Sequence, residues 1–284
     1  MNRKNATLFI VATPIGNLAD ITLRAVDVLK DVDLILAEDT RRASILLRHW
    51  DIRAPVRSFH QHNEAARLPS LLRRLGGGAR MALISDAGTP LISDPGYRLV
   101  RRAREQGITV TPVPGPSAAI AALSASGQPA ARFCFEGFLP ATAEARRRRL
   151  NSLQDEPRTL VFYESSHRIS ATLEAMASVF GGQRPATVAR EISKRFETFY
   201  GGTLAEILTA MAACDHHRKG EFVIILSGAT APRPESRRME EIMALLSAEM
   251  PLKRASRIAS QILGANRNEC YEAGVKAKRK GRSR

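Results

Sequence analysis

Short apolar runs separated by helix-patterned stretches dominate the first 125 residues. Leu8–Ala12 is a compact apolar run with β-branched members, the signature of a strand buried on both faces. Thr13-Pro14-Ile15-Gly16-Asn17 breaks it, and Thr22–Lys30 then places Leu23, Val26 and Val28-Leu29 on one helical face. The alternation repeats. Strands are expected at 33–37, 56–59, 81–84 and 109–113. Helices are expected through Leu46-Leu47, over Asn63–Leu75, over Tyr97–Glu105 and from Ser117 to Ser124. Helices between strands at this spacing predict an α/β domain with a mostly parallel sheet.

The second half carries strand patterns at 133–136, 159–163, 186–190 and 222–226, with helices near 143–154, 166–179 and 203–213. A run Phe196–Tyr200 reads as a further strand closing on a turn at Gly201-Gly202. A second α/β domain with a mixed sheet is expected. Gly228–Ser236 has linker composition. Beyond it, Met239–Ala248, Leu252–Leu263 and Arg267–Val275 read as three helices, with a turn at Gly264-Ala265. That pattern fits a helix-turn-helix, or a hairpin that only packs. The expected division is an N-terminal α/β domain at 1–126, a second at 127–228, a linker at 229–237, a helical module at 238–276 and a disordered basic tail at 277–284.

Composition changes this picture in one respect. The chain has 284 residues and a net charge of +15. Such an excess suits a polyanionic partner, nucleic acid or an acidic membrane surface, unless it only reflects an arginine-rich background. It is unevenly placed: residues 233–284 carry +7, and the last nine hold six cations and no acid. Cys134, Cys214 and Cys270 form no CxxC pair, which predicts a reduced, cytoplasmic protein without a metal cluster. The longest uncharged stretch is interrupted by Pro112, Pro114, Pro116 and Pro129, so no transmembrane helix is expected.

Candidate chemistry lies in the loops after the strands, because an open α/β sheet binds ligands beyond the carboxyl ends of its strands. Five such loops are rich in glycine, proline and small polar residues: TPIGN, EDTRR, HQHNE, SDAGTPLISDPG and PVPGPS. There is no GxGxxG after the first strand, no GxxxxGK[ST], no HExxH and no GxSxG. A dinucleotide site, a P-loop, a zinc protease and a serine hydrolase are therefore unsupported.

The loops TPIGNLAD, AEDTRR, SDAGTPLISDPG and PGPSA, followed by FYESSHR and RKGE, resemble the tetrapyrrole-methylase superfamily. Within it they are similar to the RsmI branch, the ribose 2′-O-methyltransferases of 16S rRNA. The resemblance runs from Leu8 to about Gly228. The segment MPLKRASRIASQILGANRNECY resembles the helical extension of some members. It implies S-adenosylmethionine bound between two α/β domains, a homodimer, and a decoding-centre cytidine, position 1402, as substrate. By position in the motifs, Pro14, Asp86, Gly88, Thr89, Ser117, Ala118, Tyr163 and Glu164 are expected to hold the donor.

Methyl transfer to a hydroxyl needs in-line alignment and benefits from a base. Glu64, His62, Glu38 and Asp39 are candidates, with Lys194 as a charge that lowers the hydroxyl pKa. The residues do not choose among them. Arg41, Arg42, Arg146–Arg149, Arg168, Arg190, Arg195, Arg218, Lys219 and the tail are expected at phosphates. Aromatics make up only 5%, which argues against a single-strand stacking platform. The rival readings are a precorrin-type methyltransferase and a non-catalytic ribosome-assembly factor.

Overall fold

The computed structural model describes residues 6–229 and 235–281. The chain to Asn151, rejoined by Arg158–Ser227, forms one compact unit. Ser152–Pro157 and the chain from Gly228 onward form a second. The two expected α/β halves therefore lie within one unit.

The first sheet is built from β1 (Thr7–Val11), β2 (Leu34–Ala37), β3 (Val56–Ser58), β4 (Arg80–Ile84) and β5 (Thr109–Val113). They lie in the order β3-β2-β4-β1-β5, all parallel. The connecting helices are α1 (Leu23–Asp31), α2 (Thr40–His49), α3 (Glu64–Gly76) and α4 (Tyr97–Glu105). Strand side chains alternate between two cores. Phe9, Val11, Ile35, Ala37, Ala82 and Ile84 pack with Ala25, Val26 and Leu29 of α1 and Leu46 and Leu47 of α2. Leu8, Leu34, Leu36, Met81 and Leu83 pack on the other face with Leu71 and Leu75 of α3 and Leu99 of α4. Covered on both faces, β1, β2 and β4 bury nearly every position and so read as apolar runs, whereas the edge strands β3 and β5 keep exposed positions at Arg57, Thr109 and Pro112.

The helix α5 (Ala118–Ala125) follows β5 in the chain but packs elsewhere. Its Ala119, Ala122 and Leu123 cluster with Val161, Ala189, Val223 and Ile225 of the second sheet. The sequence assigned it to the first domain. Small side chains let it lie close to a sheet, and its N-terminus is thereby held between the two halves.

The second sheet has the order β6-β7-β10-β8-β9, from β6 (Phe133–Phe138), β7 (Thr159–Ser165), β8 (Pro185–Arg190), β9 (Thr198–Thr203) and β10 (Glu221–Leu226). Only the β6–β7 pair is parallel, so the sheet is mixed. The helices are α6 (Ala143–Ser152), α7 (Ile169–Phe180) and α8 (Leu204–Ala212). The strand β9 continues through Gly201 and Gly202, opposite Thr187 and Ala186, where a turn was expected. An edge strand tolerates glycine. At Gly202, φ is +139°, and a Cβ would come within 2.7 Å of Glu206 Oε2, the carboxylate of the α8 capping box.

In the second unit, α9 (Glu235–Glu249), α10 (Leu252–Leu263) and α11 (Arg267–Gly281) share a core of Met239, Met243, Ala255, Ala259, Cys270 and Ala273. Gly264 ends α10 in the left-handed conformation, at φ +66°. The tail expected to be disordered from residue 277 is instead helical through Gly281, and the rest of it lies outside the described residues. Alternating cations along α11 leave the helical backbone intact, since Lys and Arg are good helix formers. Among the described residues no helix is long and apolar enough to cross a membrane.

Candidate functional site

Loops from the two α/β halves enclose a cavity of about 290 Å³ and, beside it, a second of about 260 Å³. Both are lined by Ile15, Arg42, Asp86, Ala87, Lys194 and Glu221. The floor is fixed by a two-way bridge between the loops after β1 and β4. Thr13 N–H donates to Gly88 O at 2.9 Å, and Gly88 N–H to Thr13 O at 3.0 Å. Gly88 holds φ +82°, which suits glycine there. Four non-glycine residues in the two facing loops also take positive φ: Leu91 (73°) and Ser93 (69°) after β4, Glu191 (52°) and Ser193 (67°) after β8. Such strain persists where the surroundings over-determine the backbone, and it gathers at functional sites.

Most of the expected donor residues converge here. Asp86, Gly88, Thr89, Ser117, Ala118, Tyr163 and Glu164 line the larger cavity, and Pro14 lines the smaller. Asp86 accepts from Asp39 N–H at 3.0 Å and pairs with Arg42 at 3.3 Å. Thr89 donates its hydroxyl to Pro116 O at 3.1 Å, which joins the loops after β4 and β5. Tyr163 Oη accepts from Ala119 N–H at 3.2 Å and so caps the start of α5, and burial pushes its phenol pKa up. Glu164 is a structural anchor. Its side chain is wholly buried, with one oxygen on Thr172 Oγ1 at 2.7 Å and the other on Ser165 N–H at 2.9 Å and Arg168 at 3.3 Å.

The proposed bases fare differently. Glu64 is 8% exposed and accepts from Leu99 N–H at 3.4 Å, in the first turn of α4. Gly96 before that helix offers no side-chain cap, so Glu64 supplies one. His62 is exposed and packs edge-on against His60. Neither lines the cavities, so the structure removes both from the cleft. Asp39 caps α2, and hydrogen bonds from the Arg41 side chain and backbone hold its carboxyl down at about 2, too weak a base for this task. Burial first, then Asp86, raises Glu38, which also stands outside the lining.

Lys194 is in the cleft, held by Glu191 and Glu221 at 2.8 Å each. Burial opposes its charge, but the two carboxylates outweigh it and its pKa is raised. A Cβ at Gly16 would lie 2.4 Å from Lys194 Cγ and 3.0 Å from Ile192 O, so glycine there permits the two halves to meet.

Of the arginines expected at phosphates, Arg168 spends its guanidinium on Leu139 O, Pro140 O and Glu164, and Arg190 on Lys219 O and Phe196 O. Both are internal ties. Within Arg146–Arg149, Arg146 is buried, Arg148 pairs with Glu144 and Arg149 with Glu136. Arg41 and Arg42 stand exposed beside the cleft, and Arg195 lies exposed over the Phe196 ring at 5.5 Å.

Asp94, in the loop after β4, is not among the residues expected to hold the donor or to act as base. It lines the larger cavity, with Glu38 and Asp86 close by. Burial first, then the Glu38 charge, raises its carboxyl to about 6, against a hydrogen bond from the Ser85 side chain. No local pattern marks it, because its setting is made by the ends of β2 and β4.

A family model described as Tetrapyrrole (Corrin/Porphyrin) Methylases matches residues 7–208. The chain belongs to the tetrapyrrole methylase family. A second model, the RsmI C-terminal HTH domain, matches residues 234–278 of this methylase. The ribosomal RNA small subunit methyltransferase I of Xylella fastidiosa (strain Temecula1) is 54% identical, covering 93% of this chain and 97% of its own. That of Pseudomonas aeruginosa is 50% identical, covering 98% and 99%. That of Escherichia coli O157:H7 is 50% identical, covering 93% of each. Among solved structures, a cobalt precorrin-4 methyltransferase matches with TM-score 0.57 and 17% identity, over 80% of this chain and 97% of its own. Diphthine synthase matches with TM-score 0.58 and 13% identity, over 78% and 90%. These two share the methylase fold alone.

The donor in this family is S-adenosylmethionine. The cleft suits it chemically. The Asp86 and Asp94 carboxylates face the cavity for a cationic donor, and Ile15, Ile92 and Phe138 give apolar walls. The start of α5 at Ser117-Ala118 offers N–H groups for a carboxylate.

Proposed function

We propose that this methylase transfers the methyl group of S-adenosylmethionine to the ribose 2′-hydroxyl of a cytidine at the decoding centre of 16S rRNA, position 1402. The observation that carries the reading is the identity of about 50% to rRNA small subunit methyltransferases over more than nine-tenths of both chains. The ribose and the cytidine rest on the motif resemblance, above all SDAGTPLISDPG. A homodimer acting in the cytoplasm belongs to the same reading. A precorrin substrate is less suited to a chain whose charge is concentrated in a helical appendage. A non-catalytic assembly factor is less suited to a cleft in which the donor loops converge.

The test is transfer of labelled methyl to 30S subunits that lack the modification, followed by nucleoside analysis. Label in 2′-O-methylcytidine at one site is the expected result. Label on a base, or none with donor bound, would overturn it.

The helical module is assigned to RNA holding. Lys253, Arg254 and Arg257 are exposed on α10, and Arg267 at the start of α11. Replacing Lys253, Arg254 and Arg257 by glutamine is expected to weaken 30S binding and to flatten the log–log salt dependence by about 2, at roughly 0.7–0.9 per lost phosphate contact. An unchanged slope, measured by filter binding from 50 to 300 mM salt (roughly the range over which counterion release is read), would sink this role.

A further inference from the structure

We infer that the exposed face of α3 and α4 is a contact surface for the phosphate backbone of the rRNA, running from the mouth of the cleft along the outside of the first sheet. The inference rests on the rRNA reading above and adds to it a surface on the α/β body, away from the helical module.

The charge of that body is unevenly placed. α3 and α4 together carry seven arginines against Glu64 and Glu105, a net of +5. α7 and α8 carry no Lys or Arg at all, and one glutamate each, Glu174 and Glu206. A merely arginine-rich background would not leave two helices of the same body without a cation. The arginines also share a side. Leu71, Leu72 and Leu75 of α3 and Leu99 and Ala103 of α4 enter the core on one face of the first sheet. That turns Arg73, Arg74, Arg98, Arg101, Arg102 and Arg104 outward, and all six are exposed. Glu64, the one acid of α3, is buried under α4 and leaves this surface.

Most of these cations are unspent. Arg101 and Arg102 share Glu105, at 2.9 and 2.8 Å. Arg73, Arg74, Arg98 and Arg104 have no ion pair among the described residues. Arg168 and Arg190, by contrast, are tied to backbone carbonyls. Like charges gathered on one face repel one another, and a polyanion relieves that repulsion. The planar guanidinium with its fork of donors suits phosphate in particular. None of the six was among the arginines expected at phosphates from the sequence.

The face is continuous with the cleft. Ser93 and Asp94 line the larger cavity, Gly96 precedes α4, and Tyr97, 65% exposed, opens that helix with the Arg101 side chain hydrogen-bonded to it. At 1.5 Å per residue, the charge from Arg98 to Arg104 then extends about 9 Å back along the sheet. A strand that presents one nucleotide to the cleft must run on past its mouth, and these cations stand where its phosphates would pass. Such contacts position the RNA without reading its sequence.

The test pairs two double variants with equal loss of charge. Arg98→Gln with Arg104→Gln removes two unpaired cations of the face. Lys30→Gln with Arg53→Gln removes two exposed cations beside the other core of the first sheet. Binding to unmodified 30S subunits is read by filter binding over roughly 50–300 mM salt. The first double variant should flatten the log–log salt dependence by about 1.5, at roughly 0.7–0.9 per lost phosphate contact, and weaken binding about tenfold or more near 0.1 M salt. The second should change the slope by less than half as much. Donor affinity by calorimetry, and the single-turnover rate at saturating 30S, should match wild type in both, because none of the four cations lines a cavity. An unchanged slope in the first variant overturns the surface, and so do equal changes in the two, which would reflect net charge alone. Wild-type slope together with lost binding to phosphatidylserine vesicles would give the face to an anionic membrane and also overturn it. A wild type that binds 30S and donor yet forms no 2′-O-methylcytidine overturns the functional reading instead, and the salt slopes tell that failure apart.

Discussion

Glu164→Ala is expected to destabilise the fold by about 3–5 kcal/mol, the cost of breaking a buried charge pair from one side. The Glu164 carboxylate is wholly buried, and Arg168 beside it is only 20% exposed. Removing the carboxylate strands the Arg168 guanidinium with carbonyls alone and leaves the buried Thr172 hydroxyl without its acceptor at 2.7 Å. The urea midpoint should fall by roughly 1–2 M, taking a slope near 3 kcal/mol per molar. Glu164→Gln keeps an oxygen for Thr172 and should lose less. Equal midpoints for wild type and Glu164→Ala would show that the network contributes nothing net. This position was expected to hold the donor, yet its oxygens are spent on β7, α7 and the segment between them.

The second large effect lies at the entrance to α4. Gly96 has φ +124°, and a Cβ there would lie 2.6 Å from Leu83 Cδ2, in the apolar core under the first sheet. Gly96→Val combines backbone strain of about 1–3 kcal/mol with overpacking of similar size. A β-branched residue is the least tolerant of that φ. The variant should lose about 3 kcal/mol or more in urea unfolding. Relief of the clash would move Ser93, Asp94 and Pro95, so methyl transfer should fall along with stability. A variant with wild-type midpoint and rate would show that the loop adapts freely.

The elements of this methylase were largely legible because each announces itself locally. Strands covered on both faces read as short apolar runs, and α1, α2 and α8 begin at side-chain caps from Thr22, Asp39 and Thr203. The departures share a cause in tertiary context. β9 runs through two glycines because its partner β8 supplies the pairing. α5 leaves the half it belongs to in the chain because its small residues pack on the other sheet.

The candidate site divides in the same way. Loop chemistry located the cleft: Pro14, Asp86, Gly88, Thr89, Ser117 and Ala118 all border it. Which acidic side chain is free was not legible. Glu64 and Asp94 are both carboxylates near strand ends, but Glu64 turns under α4 to cap it, while Asp94 remains in the cavity. Arg168 and Arg190 look like surface cations in one dimension, and each is consumed by backbone carbonyls.

By itself the sequence determined the alternation of strands and helices, the loops rich in glycine and proline, and the concentration of charge toward the C-terminal end. These depend on side-chain periodicity and backbone preference within a few residues. Only the tertiary structure decided which polar groups are spent and which remain available. A carboxylate's partners, burial and basicity come from segments tens of residues away, brought together by the strand order β3-β2-β4-β1-β5 and by the second sheet, whose β7 and β10 also line the cavity.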